Sequence, residues 1–393
     1  MTDSVLDFKT KRSSIIVTVQ EFLLSLFIVL SPIYKAFTSV RILGLNPITI
    51  VIGLVLLCYA VNVPSIVISR QKSFFSLIIL VAFCMELFWA DGEIYFGWVL
   101  TVLLYVFFLQ TDVAVSIRKI YRAFLISSIV AAIFTIVFGL RDGAMMRVAT
   151  LIDGSIAPIA ITVALFCNPE SKKQGFISWN TLKAISVISS IVVLAFGMSR
   201  ARFLVVAVCF GMYGFSKLIG IVKNGGKTTV WSAMIFFIAI IFILFLLVSG
   251  ILQDLFKPLL DRFLYEGLDS MGRDVEIEFG LQLFKGNMLW GGGWNIFHLQ
   301  DLNGSIVAYN NHCAYVAILA RGGLFFAIPT FLSYYMLLRK SFKFRHTSKV
   351  ALVMMIVFLL LSYGNAGMFN YTICSLIPLV VLNIKKELYY ENK

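Results

Sequence analysis

Charged residues are scarce in this chain of 393 amino acids. Only 13% of its residues are Asp, Glu, Lys or Arg, whereas soluble domains carry about 25%. Hydrophobic residues make up 60% of the chain, and the mean hydropathy is +0.93. This composition excludes a soluble enzyme. The aromatic content of 15% also excludes a disordered chain, because such chains are poor in apolar residues.

Closely spaced cysteines are missing as well. Six cysteines are spread along the chain, so neither a disulfide framework nor a thiolate metal site is indicated. His298, Asp301 and His312 form the remaining candidate metal set, but their spacing matches no strong ligand signature. A Walker-type phosphate loop and the paired-aspartate motif of nucleotide-sugar enzymes are both absent from the sequence. We therefore expect no metal and no cofactor.

Long apolar runs fill most of the sequence. A membrane-spanning helix needs about 20 apolar residues, and twelve segments approach this length. We predict an all-α polytopic membrane protein with one membrane domain over 1–393. The polar N-terminus lacks a signal-peptide cleavage site, so we expect the first span to be retained. The predicted spans are roughly 14–34, 47–68, 74–90, 94–110, 123–140, 150–168, 184–199, 203–221, 231–252, 313–338, 350–365 and 367–384.

Positive charge is unevenly distributed between the predicted spans. A net charge of +13 would suggest nucleic-acid binding in a soluble chain, but cytoplasmic loops of membrane proteins also collect Lys and Arg. If twelve spans alternate from a cytoplasmic N-terminus, 22 of the 33 lysines and arginines are cytoplasmic. We therefore expect both termini in the cytoplasm and no nucleic-acid partner. The large loop 253–312, between helices 9 and 10, then lies on the outer face.

A tight turn with two arginines also lies on that outer face. Ser199-Arg200-Ala201-Arg202 joins two apolar runs with almost no loop. Snorkelling to the membrane surface would account for arginines at a helix end, although this side of the membrane disfavours them. A guanidinium fork also binds phosphate oxygens in a bidentate manner. The turn is therefore a candidate site for a phosphate or pyrophosphate.

The large loop 253–312 combines glycine, arginine and aromatic residues. Its glycine triplet, 291–293, permits positive φ and close approach of the backbone to a ligand, or forms a simple turn. Strict alternation over 275–283 favours a strand by pattern alone. At the end of the loop, His312 opens the next apolar run. A lone histidine there is commonly a cap or an interface residue, and a general base is the functional alternative.

Together these features resemble the signature of the O-antigen ligase and O-antigen polymerase superfamily. The shared features are Ser199-Arg200 at a turn between spans, Gly272-Arg273 in a long periplasmic loop, a Gly-x-Gly stretch and a histidine at the mouth of the next span. The family's histidine segment commonly reads His-Asn-x-Tyr-Leu, then an acidic or basic residue and Gly-Leu. Here Cys313 replaces that Asn, and Asn311 is the nearest substitute. The corresponding segment is His312-Cys313-Ala314-Tyr315-Val316, followed by Arg321 and Gly323-Leu324.

The resemblance implies a metal-independent glycosyltransferase of GT-C-like architecture in the bacterial inner membrane, with a periplasmic active site. The donor and acceptor would be glycans linked to undecaprenyl pyrophosphate, and a chain-length regulator would be a further partner. His312 would act as general base, and Arg200 and Arg273 would stabilise the pyrophosphate leaving group. The family also implies a helix over 274–285. The expected substrate-binding residues are Arg202, Arg262, Arg321, Trp294, Tyr309, Asn311 and Tyr315.

Three functions stay open on the sequence alone. We favour an O-antigen polymerase, which joins repeat units, because polymerases of diverse specificity tolerate a degraded family motif more readily. An O-antigen ligase would instead transfer finished glycan to lipid A core. A flippase for lipid-linked oligosaccharides would share the composition, but we expect it to carry inverted repeats or polar residues buried at mid-membrane. Only a few carboxylates, such as Glu21 and Glu86, fall inside apolar runs.

Overall fold

A computed structural model describes the parts of the chain that carry most of the predicted spans. The predicted span 231–252, loop residues 253–272 and most of 367–384 lie outside the described residues. Helices account for most of the described part. The described residues are 18–37, 47–61, 70–88, 96–110, 116–141, 152–167, 178–197, 200–224, 273–294, 298–300, 306–308, 313–345, 348–364, 377–378 and 380–381.

Short connections join the helices, and one small β-ribbon interrupts them. A 3₁₀-helix, Ser31–Phe37, follows the first helix. Strands β1 (His298–Gln300) and β2 (Ile306–Ala308) pair antiparallel, with His298 opposite Ala308. The helices are α1 (18–30), α2 (Pro47–Val61), α3 (Arg70–Phe88), α4 (Phe96–Gln110), α5 (Ile117–Arg141), α6 (Ile156–Phe166), α7 (Trp179–Gly197), α8 (Arg200–Asn224), α9 (Arg273–Gly286), α10 (Ala314–Lys343) and α11 (Lys349–Gly364).

Several helices have the length and composition of membrane spans. Within the described residues, three stretches are long and apolar enough to cross a bilayer: Ile117–Phe138, Trp179–Gly197 and Ala314–Lys343. These helices identify the chain as a helical membrane protein. Shorter apolar helices cover Thr18–Tyr34, Phe74–Leu87, Ile156–Phe166 and Lys349–Tyr363.

Side-chain contacts fix the relative direction of α1 and α5. Lys119 pairs with Glu21 near the start of both helices, and the Ser127 hydroxyl donates to the Ile28 carbonyl over 2.8 Å. Further along, the rings of Phe37 and Phe134 lie 5.7 Å apart. The contacts advance together along both chains, so α1 and α5 run parallel. The first and fifth of a series of alternating spans also run in the same direction, so this agrees with the predicted order of spans.

The pair α6 and α8 is also parallel. Asp153 contacts Arg202, Thr162 contacts Cys209 at 3.5 Å, and the rings of Phe166 and Tyr213 lie 5.7 Å apart. Around this pair, α5, α6 and α7 pack closely, and α11 packs against α6, α8 and α10. The hydroxyls of Ser128 in α5 and Ser186 in α7 lie 2.7 Å apart in the core. Hydrogen bonds of this kind help to hold helices together in a lipid bilayer, where the hydrophobic effect does not drive helices to associate.

Helix α10 reverses direction part-way along its length. The sequence predicts one span over 313–338, but Gly323 has φ +52° and ψ −161°, which breaks the helix. The rings of Tyr315 and Phe331 lie 6.0 Å apart, although sixteen residues of straight helix would separate them by about 24 Å. The first arm, 314–322, therefore folds back against the second arm, 324–343. The second arm keeps about the 20 residues that a span needs.

Candidate functional site

The segment before the glycine triplet is a helix. The prediction of a helix over 274–285 is confirmed, since α9 covers Arg273–Gly286. The strand indicated by alternation alone is wrong, because the covered positions follow a helical period. Ile277, Gly280 and Phe284 are buried or half-buried, whereas Val275 and Glu278 are exposed. Helix α9 packs against α10, and this contact decides the structure of the segment.

The glycine turn after α9 supplies the hydrogen bonds that α10 loses at its break. The carbonyls of Ala320 and Arg321 would accept from the amides four residues later in an unbroken helix. Here they accept instead from the amides of the turn, at 2.7 Å from Gly292 and 2.9 Å from Gly293. The exchange satisfies two carbonyls that the break would otherwise leave unpaired in the membrane protein's interior.

The amides on the other side of the break are satisfied in the same way. The Leu324 amide donates to the Met288 carbonyl over 2.8 Å, and the Phe325 amide donates to the Leu289 carbonyl over 3.1 Å. Turn and break therefore exchange four backbone hydrogen bonds. The expected positive φ of the triplet is found at Gly291 (+68°) and Gly293 (+80°). Its close approach is to the backbone of α10.

Only glycine fits where the two backbones meet. A Cβ on Gly291 would lie 2.5 Å from the Arg321 carbonyl oxygen, and one on Gly323 would lie 2.4 Å from the Leu289 carbonyl oxygen. Both glycines also have positive φ, which side chains with a Cβ rarely adopt. Close packing of the two backbones therefore requires glycine at positions 291 and 323.

Trp294 ends the glycine turn and anchors it to α3. Its indole nitrogen donates to Glu86, and its ring lies 5.0 Å from that of Phe83 and 5.2 Å from that of Phe326. The residue is 0% exposed. We expected Trp294 to bind substrate by stacking on a sugar. That role is corrected here, because neighbouring rings enclose the indole and its polar atom is bonded to a buried carboxylate.

A buried ion pair lies beneath the arginine turn. Arg202, in the first turn of α8, approaches Asp153 at 3.5 Å between Nη2 and Oδ1, and both residues are buried. The same Oδ1 accepts from the Ser155 amide at 3.0 Å, and the Asp153 amide donates to the Pro32 carbonyl at 2.7 Å. The carboxylate therefore links the start of α6 to the start of α8.

Gly154 makes room for the guanidinium. A Cβ at this position would lie 2.7 Å from Arg202 Nη1. Among the described residues, Arg202 Nε has no hydrogen-bond partner. An Arg held by a carboxylate in a buried site is a fixed positive charge. It can orient the first turn of α8, in which Arg200 is the first helical residue.

The other predicted site residues fall into two groups. Among the described ones, Arg273 is the first residue of α9, and the Tyr315 hydroxyl donates to the Leu359 carbonyl of α11 over 2.8 Å. Arg321 is buried at the break in α10 and accepts from Gly293 through its carbonyl. Their predicted contacts with substrate stay predictions. Outside the described residues lie His312, Arg262, Tyr309 and Asn311.

A metal site is not assembled by the described residues. No group of three or more His, Cys, Asp or Glu side chains comes together in that part of the chain. His298 begins β1, whereas Asp301 and His312, its partners in the candidate metal set, lie outside the described residues. The expectation of metal-free chemistry stays a prediction.

Asp153 is the site residue that the sequence reading missed. It lies inside the predicted span 150–168, and a carboxylate within a span is a reason to look for a cationic partner. The following Gly154 strengthens the signal, because glycine beside a buried charge permits close approach.

The chain matches no known protein-family model and no curated protein.

Proposed function

We propose that this protein is a twelve-span membrane glycosyltransferase that polymerises surface polysaccharide on the outer side of the bacterial inner membrane. Its substrates would be repeat units linked to undecaprenyl pyrophosphate. The proposal rests on the resemblance of the arginine turn, the glycine loop and the histidine segment to O-antigen polymerases. The arrangement of the described residues supports it.

The proposed reaction is a displacement at the anomeric carbon of the donor glycan. An acceptor hydroxyl on the other repeat unit forms the new carbon–oxygen bond, and the bond to pyrophosphate breaks. Undecaprenyl pyrophosphate leaves with the electron pair, and His312 takes the hydroxyl proton. Arg200 and Arg273 offset the charge that develops on the leaving group.

The geometric support for the proposal is a similar depth of Arg202 and Tyr315, which follows if the spans alternate in direction. Lys349 of α11 donates to Ser216 of α8 over 3.0 Å. With alternating spans these helices are antiparallel, so the fourteen residues from Ser216 back to Arg202, about 21 Å, reach the level of Tyr363. Leu359, which binds Tyr315, lies only about 6 Å below that level.

The fold-back of α10 gives the residues that follow His312 a rigid support. Cys313, next to His312 in the chain, is buried, and the arm that follows it packs on Phe331. A general base has to be held within hydrogen-bond reach of the hydroxyl that it deprotonates. A helix arm bonded to α11 through Tyr315 supports this better than a free loop.

Arg202 takes a different role in this proposal from the one expected of it. Because it is buried against Asp153, we assign it to positioning rather than to pyrophosphate binding. It fixes the first turn of α8, and through it the backbone position of Arg200.

A reconstituted assay tests the function. Purified protein is given its undecaprenyl-pyrophosphate repeat unit alone, with EDTA present, and the products are separated on a gel. We expect a ladder of lengthening glycans. His312→Ala should abolish it, and Arg200→Ala and Arg273→Ala should each slow it by about two orders of magnitude or more. Arg339→Ala, an exposed arginine near the far end of α10, is the matched control.

Other outcomes would reassign the protein. Transfer that occurs only after lipid A core is added would make it a ligase. Normal ladder formation by His312→Ala would remove the proposed base. If neither substrate is elongated while labelled lipid-linked units cross the membrane of proteoliposomes, the protein is a transporter.

A further inference from the structure

Two large apolar side chains stand exposed at the start of the glycine turn. Met288 is 53% exposed and Leu289 is 60% exposed. Both belong to the loop 253–312, which the sequence predicts to lie outside the membrane. A single exposed apolar residue needs no explanation, but a contiguous apolar patch marks a contact with a protein or a membrane. The neighbours of these two residues therefore decide how they are read.

The patch continues from the turn onto the second arm of α10. The ring of Trp290 stacks on that of Phe325, with 4.9 Å between the centroids and 28° between the planes. Phe325 is itself 44% exposed, and its amide donates to the Leu289 carbonyl over 3.1 Å. Ile328 and Leu332 follow at helical spacing on the same side of the arm and are exposed too. One turn–arm surface is thus formed by Met288, Leu289, Trp290, Phe325, Ile328 and Leu332.

The length of the second arm sets the depth of this surface in the bilayer. Arg339 is an exposed residue on the same side of the arm, fourteen residues after Phe325. A helix rises 1.5 Å per residue, so about 21 Å separates the two levels. The hydrocarbon core is about 30 Å thick, and a guanidinium keeps to its boundary. With Arg339 at one boundary, Phe325 lies about 9 Å inside the opposite one, and tilt of the helix would place it deeper.

The backbone of the turn meets the condition that this depth imposes. Polar backbone groups in the hydrocarbon region have to be paired within the protein, because no water is there to bind them. The carbonyls of Met288 and Leu289 accept from amides of α10. The Asn287 carbonyl accepts from the Gly291 amide at 2.7 Å. The same bonds hold the turn at the level of the break in α10.

We infer that the glycine turn is a re-entrant element whose exposed side chains, Met288 and Leu289, contact lipid acyl chains in the leaflet opposite the Arg339 end of α10. The exposed charged residues of α9, Glu278 and Lys285, stay on the headgroup side. A protein partner is the alternative occupant, but it would have to displace lipid that already covers the exposed side of a span. The contact requires only that α10 crosses the membrane and is independent of the proposed reaction.

Spin labels on the full-length protein test the inference. Single cysteines in a cysteine-free background are labelled and reconstituted in phosphatidylcholine liposomes. Collisions of each label with oxygen, which concentrates among acyl chains, are compared with collisions with a water-soluble nickel chelate. At Leu289→Cys we expect oxygen to dominate, as at Ile328→Cys on the arm. Glu278→Cys, an exposed position of α9, is the matched control, and there we expect the ratio to be inverted.

A quenching measurement tests the depth separately. A bimane fluorophore on Met288→Cys should be quenched by lipids that are brominated in the middle of the acyl chain, whereas the same fluorophore on Glu278→Cys should not. These substitutions replace exposed side chains, and the melting temperature shows that each protein is folded. Dominant nickel collisions at Leu289→Cys, or no quenching at Met288→Cys, would place the turn in water and overturn the inference. Weak collisions with both reagents would show that protein covers the turn, which also overturns it.

Discussion

Arg202 shows how a single residue can fix the junction of two spans. Isolated charge in a dry interior is strongly unfavourable, and the partner carboxylate has to compensate for it. Asp153 does this and also binds the Ser155 amide, so the ion pair and the backbone turn before α6 depend on each other. The junction is therefore sensitive to small changes at Asp153, at Arg202 and at Gly154, which lies between Asp153 and α6.

Substitution of Gly154 by Ala should disturb this junction. The new Cβ would lie 2.7 Å from Arg202 Nη1, and such overpacking commonly costs about 1–3 kcal/mol. We expect a lower melting temperature in detergent and slower glycan extension. Gly211→Ala, in α8 itself, has nothing within 4 Å of its Cβ and should stabilise the helix by up to about 1 kcal/mol. Equal melting temperatures for the two variants would contradict the packing at Gly154.

The contribution of the ion pair to stability can be distinguished from a contribution to catalysis. Asp153→Asn alone leaves a buried cation without its counter-charge, and we expect a loss of about 3–5 kcal/mol. The double variant Asp153→Asn with Arg202→Met removes both charges and should recover most of the melting temperature. Glycan extension should recover with it if Arg202 only positions α8. A stable but inactive double variant would instead return Arg202 to the substrate.

At the scale of elements, the break in α10 is sustained by a partner outside the helix. The interruption at Gly323 deprives the carbonyls of Ala320 and Arg321 and the amides of Leu324 and Phe325 of their helical partners, and each such group costs about 1–3 kcal/mol when it is buried and unpaired. The turn at 288–293 pairs all four. Helix α9, the glycine turn and α10 therefore form one unit, and Trp294 ties that unit to α3 through Glu86.

The reversal of α10 can be measured directly. Spin labels at Val316 and Leu332 should be far closer than the about 24 Å of a straight helix. Gly323→Ala should shift the distribution to longer distances, because a Cβ there would lie 2.4 Å from the Leu289 oxygen at φ +52°. Gly286→Ala, with nothing within 4 Å of its Cβ, should leave it unchanged. A single distance near 24 Å in the unmodified protein would rule the fold-back out.

The sequence predicts single helices better than it predicts their interruptions. Composition and run length locate α5 and α7, because the burial of apolar residues in lipid depends on residue type alone. The reversal at Gly323 depends on hydrogen bonds with residues 28 or 36 positions earlier, which no local pattern encodes. The same holds for Trp294, whose aromatic ring suits a sugar as well as an interior. Asp153 and Arg202 were separately readable as polar residues in an apolar context, but their pairing was not.

At the scale of the whole molecule, the parallel pairs α1 with α5 and α6 with α8 agree in direction with alternating spans. The positive-inside count then assigns α9 to the outer side and the end of α10 to the cytoplasm. In a cysteine-free background, Lys285→Cys should react with a membrane-impermeant maleimide in intact spheroplasts. Lys343→Cys should react only after permeabilisation. The reverse pattern would invert the topology and place the proposed active site in the cytoplasm.

The exchanged hydrogen bonds between the glycine turn and α10 bear on how the protein is made. The thirty residues of α10 are long and apolar enough to leave the insertion machinery as one straight rod. The reversal can form only once the turn, which is synthesised earlier, has packed against the break in the helix. Folding of the turn and maturation of α10 are thus one event. A delay in the first would trap the second in an unreversed state.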